Sequence, residues 1–219
     1  MISHKYKFIF FHVPKAAGSS IIRSYKKHLG PDVIINDQNK RIKKWLKRNS
    51  NVLWPNHTSP RIMKKYLDYE TRFLPYYKFA FVRHPYDRII SLYHYTIQKE
   101  EGIYKSNNIK IPEFTRNILE AGSFENWILS KNIGTSQYNF LSSANGKLLV
   151  DFVGHTENIT EDLNLINNKL NLGKITIENV NKSDHQSAKK YITPILERII
   201  YENYADDFKH FNYDRYLSK

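Results

Sequence analysis

The sequence contains no cysteine, which excludes disulfide bonds, thiolate nucleophiles and cysteine-ligated zinc sites. No apolar run approaches the roughly 18 residues of a membrane-spanning helix, and the first residues show no signal-peptide pattern. Only 8 glycines and 8 prolines are spread over 219 residues, and no Gly/Ser/Pro-rich linker divides the chain. We therefore expect a cytoplasmic protein that forms one domain over residues 1–219.

The residues that are present provide a hydrophobic core and a strong positive charge. Apolar residues make up 41% of the chain and aromatic residues 14%, which is too much for a disordered protein. The 34 Lys and Arg residues exceed the 21 Asp and Glu residues, so the formal net charge is +13. This charge favours anionic partners such as phosphates, nucleic acid, acidic glycans or a membrane surface, without deciding among them.

Short apolar runs alternate with amphipathic segments, which predicts an α/β fold with a central, mostly parallel sheet flanked by helices. The predicted strands cover residues 7–13, 52–54, 78–82 and 149–153, with an edge strand at 175–177. The predicted helices cover residues 19–28, 60–69, 85–98, 113–119, 124–130, 160–170, 194–204 and 206–211. Ligands of such sheets bind at the carboxyl ends of the strands, so the loops at those ends are the candidate sites.

The loop after the first strand has the composition of an anion-binding turn. Small residues at positions 16–20 let backbone N–H groups approach an anion, and the helix that follows adds a partial positive charge. Lys15 adds a full charge, and Ser19 and Ser20 add hydroxyl donors. A tight turn with an exposed lysine is an equally good interpretation of this loop alone. The lysine precedes the glycine and no Gly-Lys-Ser/Thr follows, so the kinase form of a phosphate loop is not matched.

A second candidate anion site follows the strand at 78–82. Arg83 stands where that strand ends, and Ser91 lies two turns into the next helix. An arginine fork and a hydroxyl together suit a phosphate. Separately, Arg83 could form an ion pair and Ser91 could bond to its own helix backbone.

These two segments resemble the motifs of a known enzyme family. Residues 13–20 resemble the 5′-phosphosulfate loop of sulfotransferases. Residues 81–93 resemble their 3′-phosphate motif, Arg-x-Pro-x-x-Arg-x-x-Ser. The resemblance is closest to the carbohydrate branch, family 2, which includes the heparan 2-O- and chondroitin sulfotransferases. Further matches to that branch are at residues 56–58, 151–158, 181–183 and 204–213, with Asn56 in place of the branch's glycine.

The resemblance implies a P-loop-like three-layer fold and the donor 3′-phosphoadenosine 5′-phosphosulfate (PAPS), with 3′-phosphoadenosine 5′-phosphate (PAP) as product. The residues implied for the 5′-phosphosulfate are Lys15, Ala16, Ala17, Gly18, Ser19 and Ser20. Arg83 and Ser91 are implied for the 3′-phosphate. Asn181 and Ser183 match a loop that contacts the cofactor in the family.

Two residues are implied for the chemistry of transfer to an acceptor hydroxyl, which the resemblance places on a saccharide. Lys15 would place its charge on the bridging oxygen of the donor. His57 would act as general base, since a neutral imidazole can accept a hydroxyl proton near pH 7. Glu157 is interpreted as structural support, and it is the second candidate for the base.

The remaining signals leave alternatives open. No His-Glu-x-x-His or similar ligand spacing occurs, so we expect no metal. Residues 40–48 contain six basic residues, which suits either a solvated amphipathic helix or a rim that attracts an acidic acceptor. A P-loop phosphotransferase is the alternative enzyme. A basic nucleic-acid-binding module is the alternative class, but no nucleic-acid motif is visible and we expect no such partner. Peripheral membrane contact and the oligomeric state are left open.

Overall fold

The computed structural model describes residues 1–33, 58–66, 74–100, 102, 111–177 and 190–217. The chain forms two compact units. Unit 1 contains Met1–Arg83 and Asn139–Lys182, and unit 2 contains His84–Tyr138 and Ser183–Lys219. One domain over the whole chain stays a prediction.

The described elements are four strands and nine α-helices. The strands are β1 (Ile2–Ser3), β2 (Phe8–Phe11), β3 (Tyr77–Val82) and β4 (Phe152–His155). The helices are α1 (Gly18–Leu29), α2 (Pro60–Tyr66), α3 (Pro85–Tyr95), α4 (Glu113–Glu120), α5 (Phe124–Leu129), α6 (Gln137–Leu141), α7 (Ile159–Lys169), α8 (Pro194–Asn203) and α9 (Ala205–His210). A π-helical stretch, Thr96–Glu100, continues α3, and 3-10 turns occupy Gly30–Asp32 and Thr156–Asn158. No helix in these parts of the chain is long and apolar enough to cross a membrane.

The sheet belongs to unit 1 and is mostly parallel. Its order is β1-β2-β3-β4, with β1 antiparallel to β2 and the other neighbours parallel. Phe10 pairs with Phe79, and Phe81 pairs with Gly154. The α/β fold with a mostly parallel sheet flanked by helices is therefore confirmed, although the short strand β1 was not predicted.

Both faces of the central strands are buried, which is typical of parallel sheets. Phe8, Phe10, Phe79 and Phe81 face a core that they share with residues of α1 and α7. On the opposite face, Ile9, Phe11, Ala80 and Val82 are each at most 3% exposed. This burial explains why β2 and β3 are nearly continuous apolar runs in the sequence rather than alternating ones.

Helix α1 is held on the sheet at its middle by Tyr25. The ring of this residue contacts Phe8 edge-on with a centroid distance of 5.6 Å, and its hydroxyl donates to Asn167 Oδ1 at 2.8 Å. Burial raises the pKa of the Tyr25 hydroxyl, so the group stays a neutral donor. The bond ties α1 to α7.

The predicted edge strand at 175–177 is wrong, because this segment makes no strand pairing in the structure. The Ile175 carbonyl accepts a hydrogen bond from Asn167 Nδ2 at 3.2 Å instead of joining a ladder. The Ile175 side chain is buried in the core that α1 and α7 share. The β-branched residues that suggested a strand therefore serve packing against α7.

The other predictions for the described residues hold with shifted ends. Ser59 accepts from the backbone N–H of Ile62 at 3.3 Å and so caps α2. Strand β4 begins three residues later than predicted. Directly before it, Asp151 donates its backbone N–H to the Lys78 carbonyl at 2.7 Å and accepts the Lys78 N–H through Oδ2 at 2.7 Å. Helix α6 was not predicted. The predicted strand at 52–54 and the basic segment at 40–48 lie outside the described residues.

Unit 2 packs its helices around large aromatic side chains. Trp127, Tyr86 and Tyr204 are at most 1% exposed and share one core with apolar residues of α3, α5 and α8. Both α5 and α8 begin at a capping hydroxyl: Ser123 accepts from Asn126 N and Thr193 accepts from Leu196 N.

We expect Gly154→Ala to lower the free energy of unfolding by about 1–3 kcal/mol, the usual cost of overpacking a core. A Cβ at Gly154 would lie 2.6 Å from the ring of Phe81, which is itself buried between strands and helices. Urea unfolding is the measurement. Gly102→Ala is the control, because a Cβ there meets nothing within 4 Å. Equal stability of Gly154→Ala and wild type would contradict this account of the packing.

Candidate active site

Three strand ends of unit 1 lie at one edge of the sheet. Because β2, β3 and β4 are parallel, the chain leaves each of them at the same edge, after Phe11, Val82 and His155. The loop after β2 carries Lys15, and Arg83 directly follows β3. The sheet thus brings two cations to one edge.

The loop between β2 and α1 is a tight turn with unusual backbone angles. The Ala16 N–H donates to the Val13 carbonyl at 3.3 Å. Lys15 has φ 67° and Ala17 has φ 56°, both in the left-handed region that residues with a Cβ seldom adopt. Such strain is concentrated at functional sites. A left-handed residue followed by a helical one turns successive N–H groups toward one side, which forms a concave anion site.

The start of α1 is electrostatically suited to an anion. Its first backbone bonds run from Ser20 N and Ile21 N to the Ala17 carbonyl, so the N–H groups of Gly18 and Ser19 precede the helical ladder. The first turn contains no acidic residue, and no side chain caps it. These groups and the positive end of the helix dipole favour a phosphate or sulfate.

The structure brings all the predicted residues of this loop together in one turn. Lys15 is half-buried and Ser19 is exposed, so both side chains reach the surface of the loop. Buried in the turn are Ala16, Gly18 and Ser20. The residues therefore fit a phosphosulfate group in charge and in donor type, and their assignment to PAPS stays a prediction.

The two residues predicted for the 3′-phosphate belong to different units. Arg83 is the last residue of the first segment of unit 1 and is half-buried. Ser91 lies in α3 of unit 2 and is 7% exposed. Their joint contact with one phosphate stays a prediction.

Arg88, the second arginine of the 83–91 motif, has a structural role that sequence reasoning missed. Its guanidinium is buried and donates from Nη2 to the Thr135 carbonyl at 2.7 Å. It also lies over the ring of Tyr204, 5.3 Å from the centroid. The Tyr204 hydroxyl in turn donates to the Ile133 carbonyl. Arg88 and Tyr204 thus hold the same loop from two sides.

Asp207 completes this arrangement and explains the C-terminal motif. Its carboxylate is fully buried and accepts from the backbone N–H groups of Gln137 and Tyr138 at 3.0 and 2.7 Å. Burial raises the pKa of Asp207, while the nearby Arg88 and these N–H donors oppose the rise. The Tyr-x-x-Asp-Phe match at 204–208 therefore anchors the start of α6 and belongs to the fold of unit 2. The sequence signal for this structural role is that the 83–91 motif and the 204–208 match occur together in one chain.

The third strand end carries Glu157, whose role the sequence left open. It lies in the 3-10 turn after β4 and is exposed. The preceding His155 donates its backbone N–H to Asp162 Oδ2 at 2.6 Å, which fixes how the chain turns from β4 into α7. Glu157 is therefore at the same sheet edge as Lys15 and Arg83.

Three predicted site residues, His57, Asn181 and Ser183, lie outside the described residues. Within residues 1–33, 58–66, 74–100, 102, 111–177 and 190–217, no group of three or more His, Asp or Glu residues is arranged to hold a metal ion.

A comparison with known families identifies the chain. The model of the sulfotransferase family matches residues 1–214. The chain belongs to the sulfotransferase family. This sulfotransferase matches no curated protein and no solved structure significantly. The match covers segments of both units and confirms sulfotransferase family 2, to which the loops at 13–20 and 81–93 pointed. The carbohydrate branch stays a prediction.

We expect Asp207→Ala to destabilise unit 2 of this sulfotransferase strongly. The change removes the acceptor of two buried N–H groups, and each buried donor left unsatisfied costs about 1–3 kcal/mol. The measurement is urea unfolding followed by tryptophan fluorescence, because Trp127 lies in the core of this unit.

The matched control is Asp206→Ala, one residue away and exposed. It loses a charge near the start of α9 and no buried contact, so about 0.3–1 kcal/mol is expected. Similar losses for both variants would show that the buried carboxylate does not anchor the loop.

Proposed function

We propose that this sulfotransferase transfers the sulfuryl group of PAPS to a hydroxyl of a carbohydrate acceptor. The observation that carries the proposal is the turn at 15–20. It combines two left-handed residues, an uncapped helix start without acidic residues, and Lys15. Arg83 at the same sheet edge supports a ligand with a second phosphate. PAPS carries such a phosphate at its 3′ position, and ATP does not.

Each residue of the loop has a proposed task. The N–H groups of Gly18 and Ser19 and the hydroxyls of Ser19 and Ser20 hold the 5′-phosphosulfate by charge-assisted hydrogen bonds. Arg83 and Ser91 hold the 3′-phosphate. The bound donor supplies an activated sulfuryl group, and PAP is the leaving product.

The transfer forms a bond between the acceptor oxygen and sulfur and breaks the bond from sulfur to the bridging oxygen of the 5′-phosphate. Negative charge grows on that bridging oxygen, and the Lys15 ammonium stabilises it. The proton of the acceptor hydroxyl passes to a base. We propose His57 for the base, with the exposed Glu157 as the alternative at the same sheet edge as Lys15.

The distribution of charge supports an anionic acceptor. The sequence of unit 1 contains 22 Lys and Arg against 9 Asp and Glu, whereas unit 2 contains 12 of each. The whole net charge of +13 therefore belongs to the unit that carries the anion loop. Such a field raises the local concentration of an anionic ligand, which suits an acidic saccharide as well as the donor.

Donor binding should depend on the 3′-phosphate through Arg83. A charge-assisted contact is worth roughly 1.5–3 kcal/mol, so Arg83→Ala should weaken PAP binding about tenfold or more. Ser91→Ala should weaken it less, and neither change should affect 5′-AMP. Calorimetric titration with PAP, 5′-AMP and ATP plus magnesium is the measurement.

Lys26→Ala is the control, because it removes an exposed cation from the last turn of α1, at the end of the helix opposite to the loop. An equal loss of PAP affinity in this variant would mean that binding follows overall charge. Wild type that prefers ATP with magnesium over PAP would favour the phosphotransferase instead.

Measuring kcat and PAP affinity together should distinguish the general base from the residues that bind the donor. Positioned general-base catalysis is worth roughly 10²–10⁴-fold, so His57→Ala should lower kcat by that factor while PAP affinity stays close to wild type. Lys15→Ala should lower both quantities. Release of PAP from PAPS in the presence of an acceptor measures kcat, and calorimetry measures affinity.

Glu157→Gln is measured beside these variants, because it removes only the charge of the alternative base. Normal turnover of His57→Ala together with a large loss in Glu157→Gln would transfer the base role to Glu157. Unchanged turnover and affinity in Lys15→Ala would contradict the proposed donor site.

A further inference from the structure

His12 lies on the face of the sheet that α1 covers. Side chains alternate along a strand, so Phe8, Phe10 and His12 point to the same face. The His12 ring stacks on Phe10 with a centroid distance of 6.2 Å and an interplanar angle of 19°. His12 is 8% exposed, so the ring is fixed by its surroundings just where β2 gives way to the anion loop.

The first residue of α1 rests directly on this ring. A Cβ added to Gly18 would lie 1.8 Å from His12 Cδ2 and 2.2 Å from Nε2, and real Cβ atoms do not approach that closely. Gly18 does not have a positive φ, so its backbone conformation is open to any residue. Glycine is required here by the imidazole beneath it.

The start and the middle of α1 meet the sheet differently. At the middle, the large ring of Tyr25 stands between the helix and Phe8. At the start, no side chain separates Gly18 from His12. The imidazole therefore sets the height of the first turn above the end of β2, and with it the position of the N–H groups of Gly18 and Ser19.

We propose that His12 is a positioning residue of the donor site, which acts through Gly18 on the anion-binding turn. This inference rests on the proposed function, because it assigns the turn to the 5′-phosphosulfate. It gives His12 no contact with the donor. Its consequence is that His12 and Gly18 form one coupled pair, and that disturbing the pair affects the 5′ end of the ligand selectively.

The test is a double-mutant cycle with His12→Ala, Gly18→Ala and the double variant. Three ligands are titrated by calorimetry: PAP, 5′-AMP and adenosine 3′-phosphate. Gly18→Ala should weaken PAP and 5′-AMP about tenfold or more, because charge-assisted contacts to the 5′-phosphate are lost. Adenosine 3′-phosphate should change by less than about twofold, the range of distant substitutions.

The decisive result is whether His12→Ala restores PAP affinity to the Gly18→Ala variant. Removal of the ring makes room for the Cβ, so the double variant should bind PAP about as well as His12→Ala alone and clearly better than Gly18→Ala. Alanine is otherwise favoured over glycine in a helix, so no other penalty is expected. Additive losses in the double variant would overturn the coupling. If Gly18→Ala fails to fold, a folded double variant that binds PAP supports the pair, and an unfolded one overturns it.

Tyr25→Phe is the matched control for stability. It removes the hydrogen bond to Asn167 from the same helix, away from the loop. Its thermal midpoint should fall while its affinity for 5′-AMP remains that of wild type. Equal losses of affinity for 5′-AMP and for adenosine 3′-phosphate in His12→Ala would contradict the proposal, because they would show that His12 serves only general packing. Wild type that binds neither PAP nor 5′-AMP would instead refute the proposed function itself.

Discussion

The parallel pairing of β2, β3 and β4 is the constraint on which the site depends. It makes the chain leave all three strands at the same edge, so that the 15–20 turn, Arg83 and Glu157 collect there although they are far apart in sequence. Buried apolar residues cover both faces of these strands: four phenylalanines on one face, and Ile9, Phe11, Ala80 and Val82 on the other. Close contacts such as Gly154 against Phe81 fix the register of the pairing. The candidate site thus depends on core residues as well as on the residues at the sheet edge.

The family motifs combine candidate ligand-binding residues with residues that hold the fold, and the sequence alone does not distinguish the two. In the 83–91 motif, Arg83 remains at the sheet edge, whereas Arg88 is buried and holds the Thr135 carbonyl. The C-terminal match at 204–208 serves the same loop through Tyr204 and Asp207. In unit 1, Gly18 belongs to the candidate anion-binding turn and also packs closely against the His12 ring.

The sequence predicted the parallel sheet, most helices and the loop at 15–20, because these depend on local signals. Buried strands read as apolar runs, and Ser59 and Pro60 mark a helix start. The failures have equally physical causes. Residues 175–177 have a strand composition, but the Ile175 carbonyl accepts a hydrogen bond from the Asn167 side chain instead of from a neighbouring strand. Helix α6 depends on Asp207, 70 residues away from Gln137, and no local pattern announces such a cap. The role proposed for His12 could not be predicted from the sequence, because it depends on the contact between His12 and Gly18 in space.

The activity that we propose for the chain is transfer of a sulfuryl group from PAPS to a hydroxyl. The most direct measurement is mass spectrometry of a reaction of the full chain with PAPS and a panel of acidic and neutral saccharides, with Lys15→Ala in parallel. We expect PAP to form in step with the addition of one sulfuryl group to an acidic saccharide, in excess EDTA as well as without it, and we expect Lys15→Ala to suppress both products. An intact PAPS pool with every acceptor, or transfer from ATP that requires magnesium, would contradict the proposed activity.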